Sequence, residues 1–218
     1  MKNHDICQRG TGGFWADNLD GLLDQFPPAL RGHSRRVAVC CYIMAGYAEG
    51  FTHAFGAPAV SGLQAAAHLG GTLHDIGKLL LSQAGAGKAY YLLHPAAGAD
   101  FLEAYKTELF EDGGQSRHVL EAVRYHHEQP YGPGGSGKGG IPLLAGICAL
   151  ANRLDHQLYL KYRFYFNGES VLENIKKQAG TVFSESAVFC AERAWPGLME
   201  HYSNWNLCRT LQKKYGLT

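Results

Sequence analysis

Apolar residues recur along the chain at three- and four-residue spacing, the pattern of helices that bury one face. The first such stretch, "FWADNLDGLLDQF" at residues 14–26, is stopped by Pro27-Pro28, because proline lacks the backbone donor and clashes with the preceding turn. A longer apolar stripe runs over residues 29–55 and contains "RGHSRRVAVCCYIMAGYAEGF". Pro58 and Ser61 punctuate before "SGLQAAAHLGGTLHDIGKLLL", in which Gly70-Gly71 predicts a break. "QAGAGK" reads as a loop, and "HPAAGADFLEAYKTELF" as a helix entered at His94-Pro95, since proline fits a first turn. Ser116 is the expected N-cap of "SRHVLEAVRYHHE", and "QPYGPGGSGKGG" cannot be helical. "IPLLAGICALANRLDHQLYLKYRFYF" predicts another long helix, and "SVLENIKKQAG", "SESAVFCAERAW" and "GLMEHYSNWNLCRTLQKKYG" three shorter ones. No period-two alternation and no repeat interrupts this. The expected fold is all-α, a single-domain helical bundle.

Composition narrows the function classes. With 46% hydrophobic and 18% charged residues among 218, the chain is globular and has enough length for a real core. A net charge of +1 supplies no bulk attraction for a DNA or RNA duplex or a membrane surface, so neither is expected as a partner. The six cysteines (Cys7, Cys40, Cys41, Cys148, Cys190 and Cys208) form no CxxC pair and read as buried free thiols in a reducing compartment. "MKNHDICQRGTGG" has no apolar signal core, and no run reaches about 18 apolar residues, so a cytoplasmic location is expected.

The eleven histidines change the picture, because several cluster with acids or with each other. In order these are His33, His74-Asp75, His94 and His126-His127, followed by Asn152 and Asp155 on one helical pattern. Adjacent His and Asp in a segment built for burial are costly unless something compensates them, and a metal cation does so. Imidazole with carboxylate suits iron, manganese, zinc or nickel, and a helical bundle builds such a site from inward-pointing residues on separate helices. Lys78 lies three residues beyond Asp75, which places a cation beside the His–Asp pair. The ordinary readings are a buried His–Asp hydrogen bond, a solvated helix start at His33 beside Arg35 and Arg36, and a solvated lysine.

In order and content, "HSRRVA", "LHDIGK", "HPAAGADFL", "YHHE" and "ICALANRLDHQ" resemble the motifs of the HD-domain phosphohydrolase superfamily. The resemblance is closest to the HD-GYP phosphodiesterases, which hydrolyse cyclic di-GMP. It implies an HD-type domain over residues 31–195, with a helical extension at 1–30 and a C-terminal helix at 196–218 packing on the core. It further implies that Asp75 bridges two divalent metals, with His33, His74, His94, His126 and His127 as terminal ligands and Asn152 at the last ligand position. Lys78 would act with Asp75 in catalysis. Arg163 in "KYRFY" is similar to an element whose arginine grips phosphate alongside Lys78. The implied partners are a nucleotide or cyclic dinucleotide substrate and a second copy or a signalling protein.

The chain departs from that pattern at three places. Asn152 stands where the family carries Asp, removing one negative charge from the ligand set. The Gly-Tyr-Pro tripeptide is absent, with Tyr131 and Pro133 in a different context. Ala29 replaces a glutamate found in members with a third metal, which sets the expectation at two. Asp155, displaced from Asn152 by about 4.5 Å along a helix and turned by about 60°, is expected to orient a histidine ligand rather than to bind metal. These departures leave a second expectation, a regulatory or nucleotide-binding module with little hydrolysis, and a third, a nucleotide monophosphatase. His4, His53, His68, His118, His156 and His201, and the Tyr159, Tyr162 and Tyr165 stripe, read as packing or surface residues.

Overall fold

The computed structural model describes residues 19–48, 62–83, 90–110, 113–130, 140–161 and 168–215. Ten α-helices are present among them: α1 (Leu19–Asp24), α2 (Pro28–Ala45), α3 (Leu63–Leu73), α4 (Ile76–Gln83), α5 (Tyr90–Ala104), α6 (Lys106–Leu109), α7 (Gly113–Tyr125), α8 (Leu143–Asp155), α9 (Gly168–Lys177) and α10 (Glu185–Tyr215). A π-helical stretch, His156–Lys161, continues α8. No strand occurs among the described residues beyond an isolated bridge between Ala179 and Phe183. The expected all-α, single-domain fold is what the chain adopts.

Four helices close into a ring, α2 on α3, α3 on α7, α7 on α8 and α8 back on α2. The short α4 pairs with α5, which leans on α7, and α10 lies across α2 and α8. The core runs through the ring, with Val37, Cys41, Leu73, Val123, Ile147, Leu150 and Leu154 almost fully buried. Burying a Val, Leu or Ile side chain contributes about 1.5–3 kcal/mol, so this ring is the principal source of stability. Cys40, Cys41, Cys148 and Cys190 are buried and free, as expected. No helix among the described residues is long and apolar enough to cross a membrane.

Several local expectations are corrected. Gly70-Gly71 does not interrupt α3, whose break comes three residues later at His74-Asp75. The glycines instead let helices meet: a Cβ on Gly70 would lie 2.9 Å from the Ala122 Cβ, and one on Gly71 would lie 2.8 Å from the Ala38 Cα. The helix of "HPAAGADFL" includes Tyr90, so Pro95 is inside α5. Its missing hydrogen bond frees the carbonyl of Tyr91, a residue 70% exposed, and water is available there. Ser116 is not a cap: α7 starts at Gly113 and Ser116 is buried within it. The last two short patterns are one 31-residue helix, α10, with Pro196 inside, so the expected boundary at residue 195 falls within a continuous element. Pro196 and Glu192, whose carbonyl it leaves unpaired, are both exposed.

Candidate metal centre

The break between α3 and α4 exists to present two side chains. His74 ends α3 and Asp75 follows in the turn, with the Lys78 backbone N–H donating to the Asp75 carbonyl at 2.9 Å. Both side chains are completely buried, beneath the start of α5. Gly77 makes this approach feasible, since a Cβ there would lie 2.0 Å from the His94 carbonyl oxygen.

Asp75 divides its two carboxylate oxygens. Oδ2 faces His74 Nε2 at 3.3 Å and His33 Nε2 at 3.8 Å. Oδ1 faces His94 Nε2 at 3.1 Å and His126 Nε2 at 3.9 Å. His33 comes from α2, His94 from α5, and His126 and His127 from the turn that ends α7. Two sets of three donors result, His33 with His74 and Asp75, and His94 with His126 and His127, the atoms of each set within 4.8 Å of one another. Unwinding after Tyr125 is what lets neighbours His126 and His127 serve one set, their rings 4.3 Å apart, where a continuing helix would turn them about 100° from each other.

The far side of each ring settles its tautomer. His74 Nδ1 lies 2.8 Å from the Gly71 carbonyl, His94 Nδ1 3.3 Å from that of Tyr90, and His126 Nδ1 2.8 Å from that of Val123. His33 Nδ1 lies 2.7 Å from Asp155 Oδ2. Carbonyls and carboxylates only accept, so each Nδ1 carries a proton; where the ring is neutral its Nε2 presents a lone pair towards Asp75, whereas His74, raised by that carboxylate, carries a second proton on Nε2 in the metal-free protein. The consequence is visible between α5 and α7, where His94 Nε2 and His126 Nε2 face each other at 3.2 Å. Two lone pairs at that distance need a proton on one ring or a cation between them. His33 Nε2, His74 Nε2, Asp75 Oδ1 and Asn152 Oδ1 are buried and make no hydrogen bond. Buried histidine nitrogens converging on one carboxylate, with unpaired acceptors among them, fit a site for divalent cations.

Electrostatics follow the same layout. Burial opposes the Asp75 charge, but His74, His94 and Lys78 outweigh it and hold its carboxyl well below the usual range. Burial also opposes a charged His74, yet the Asp75 carboxylate prevails and raises it to about 9. His126 is driven well below 6.5 by burial and then by its histidine neighbours, and His33 is lowered chiefly by burial, against the Asp155 hydrogen bond. His127, at the rim, is pushed down to about 4 by burial and by His94. Lys78 Nζ binds Asp75 Oδ2 at 2.6 Å.

Asn152 on α8 is 7% exposed. With His126, His127, Gln129, Arg153 and His156 it lines a cavity of about 260 Å³ that opens beside the centre and is walled further by Val182 and Phe183. Asp155 belongs to neither donor set: behind His33, it also takes two hydrogen bonds from Arg36, Nε to Oδ1 at 2.6 Å and Nη2 to Oδ2 at 3.0 Å. Arg163 lies outside the described residues, as do Tyr131, Pro133, His4 and His53.

Arg36 is the residue that sequence reasoning missed. Read as a solvated neighbour of His33, it is only 3% exposed. Its spacing of three from His33 puts both on one face of α2, which was the available signal. His68, read as a packing or surface residue, meets Tyr42 of α2 edge-on at 6.4 Å. A model of the HD domain family matches residues 30–157, a span holding every ligand candidate from His33 to Asn152. No curated protein matches the chain significantly.

Proposed function

From the HD domain family, to which this chain belongs, we propose a metal-dependent phosphohydrolase that acts as a phosphodiesterase on cyclic di-GMP or a related nucleotide. The observation carrying this reading is the divided carboxylate of Asp75, each oxygen turned to its own pair of imidazole Nε2 atoms. Asp75 bridges the two positions. His33 and His74 complete one, His94, His126 and His127 the other, and the Asn152 amide oxygen adds a neutral ligand. Two divalent ions, iron or manganese before zinc or nickel, would polarise a phosphoryl oxygen there and lower the pKa of an attacking water.

The chain's own groups supply the rest. Lys78, on the Oδ2 side of Asp75, offsets negative charge on a non-bridging phosphate oxygen, and Arg163 contributes a second cation to the phosphate. The cavity beside Asn152 receives the part of the substrate beyond the phosphate. A regulatory module with little hydrolysis is the second reading, favoured by the neutral, unpaired Asn152 oxygen where the family places a carboxylate.

The test pairs metal analysis of protein purified without chelator with hydrolysis assays of cyclic di-GMP and 5′-nucleotides under iron and manganese. Two metals per chain and a linear dinucleotide or GMP product support the diesterase. Turnover of 5′-nucleotides alone replaces it with a monophosphatase. An occupied centre without turnover favours the regulatory module.

A further inference from the structure

The Arg36–Asp155–His33 chain continues outward, into parts of the protein beyond the residues that the family model matches. The Arg36 guanidinium lies 3.5 Å from the ring centroid of Tyr159, in the π-helical stretch, and 5.6 Å from that of Trp205, on α10. One turn before Trp205, Tyr202 accepts a hydrogen bond from Cys40 Sγ of α2 at 3.2 Å, and the His201 ring bonds to the Arg36 backbone. Three residues of α10 thus meet α2 between Arg36 and Cys40, directly behind His33. The family-matched span, residues 30–157, contains Arg36 and Asp155 but neither aromatic plate.

We propose that Tyr159 and Trp205 clamp Arg36 as a positioning residue for the His33 side of the metal centre, which couples metal binding there to the docking of α10. This rests on the metal-binding reading above. The physical case is one of constraint. A guanidinium presents its donors in a rigid plane, and aromatic faces above it fix that plane. Its fork then fixes both oxygens of Asp155, and Asp155 fixes the tautomer and the tilt of His33, whose Nε2 must point at Asp75. Outer groups of this kind are worth about 10–100-fold in metal affinity. The outer partners of His94 and His126 are instead carbonyls of their own helices, those of Tyr90 and Val123.

Coupling between two sites is reciprocal, which supplies a readout independent of turnover. If α10 tightens metal at the His33 side, metal must tighten α10. The experiment is a manganese titration by calorimetry on full-length wild type, Arg36→Met, Arg36→Lys, Tyr159→Leu and Trp205→Leu, with hydrogen exchange followed over residues 198–205. The expected result is two sites in wild type. One is weakened about 10–100-fold in Arg36→Met and to an intermediate degree in Arg36→Lys, which keeps the charge and loses the fork. Trp205→Leu, at a half-buried position that tolerates the change, weakens the same site and shrinks the metal-induced slowing of exchange by the same factor. Wild-type protein that takes two metals, with folded variants that bind both as tightly, overturns the coupling and leaves the metal reading standing. Wild-type protein that binds no metal overturns both.

Discussion

Gly77→Ala is the smallest change that separates the Asp75 turn from α5. The added methyl would start 2.0 Å from the His94 carbonyl oxygen and 2.8 Å from the Gly98 backbone nitrogen, both parts of α5 that no rotamer change can move. Reaching an ordinary contact of 3.4 Å requires α4 and α5 to part by about 1.4 Å at this point. Helix propensity favours alanine by about 0.5–1 kcal/mol, but forcing an atom into a packed interface costs about 1–3 kcal/mol, so the clash wins. At about 2–4 °C per kcal/mol for a chain of this size, melting should fall by several degrees. The larger effect is on the centre. Asp75 Oδ1 and His94 Nε2, now 3.1 Å apart, sit on opposite sides of the widened seam, so one donor set loses its bridge.

The assay is a melting curve with and without manganese, alongside metal stoichiometry. Gly77→Ala should melt lower and gain less from metal than wild type. Gly197→Ala serves as the control, because its methyl would meet only the Ile43 Cγ2 at 3.3 Å, inside a long helix where alanine is preferred. Gly77→Ala protein with wild-type melting and two tightly held metals would refute the claim that glycine is there to seat Asp75 against His94.

Lys78→Met should lower kcat by about 100–1,000-fold, the usual cost of one lost electrostatic donor, with metal stoichiometry unchanged; parallel loss of metal would reassign Lys78 to holding Asp75. Asn152→Asp should lower the melting temperature of metal-free protein, by adding a second carboxylate to a buried site, and enlarge the metal-induced rise. A smaller rise would place residue 152 outside the ligand set. Metal loading at pH 7.5 should release about one proton per chain, because His74, raised to about 9, is protonated beforehand while lowered His33 and His126 are already neutral. Calorimetry in two buffers of different ionisation heat reads this, and no buffer dependence would contradict it. The same shifts set metal-free stability. The neutral His33 and His126 make it fall as pH drops below 6.5, whereas the His74 contribution is complete below 6.5 and is lost progressively as pH rises from there through about 9, so these three groups together place the maximum near pH 6.5.

Helix positions were legible in the sequence because one-sided burial imposes a visible spacing, and the donor residues because His-Asp and His-His pairs are costly without a ligand. What was hidden depends on neighbours distant in sequence. Gly70-Gly71 looks like a break when read locally, and only the presence of Ala38 and Ala122 across the interface turns it into a contact surface. Pro196 looks like a stop, yet Ala194, Leu198 and Tyr202 on either side of it are buried in a single face, and that burial outweighs one lost hydrogen bond. Asp155 was readable as a residue that orients a histidine. Its partner Arg36 was not, because a guanidinium on a helix is solvated far more often than it is buried against aromatic rings.

The charge balance of the centre explains why Asn152 matters more than its neutral side chain suggests. Asp155 is buried and negative, but Arg36 meets it with two hydrogen bonds, so the pair adds almost no net charge. Asp75 is the remaining carboxylate at the centre, and Lys78 stands 2.6 Å from it. The protein therefore brings a nearly neutral, imidazole-rich cavity to its metals rather than an acidic one. Neutral imidazoles donate electron pairs without offsetting cationic charge, so divalent ions held there would retain most of theirs. On the proposed function, a phosphodiester anion arriving beside Asn152 would supply the charge that a carboxylate at residue 152 would otherwise have provided. In such a site, metal and phosphate binding are two halves of one equilibrium, and each should strengthen the other by the same factor.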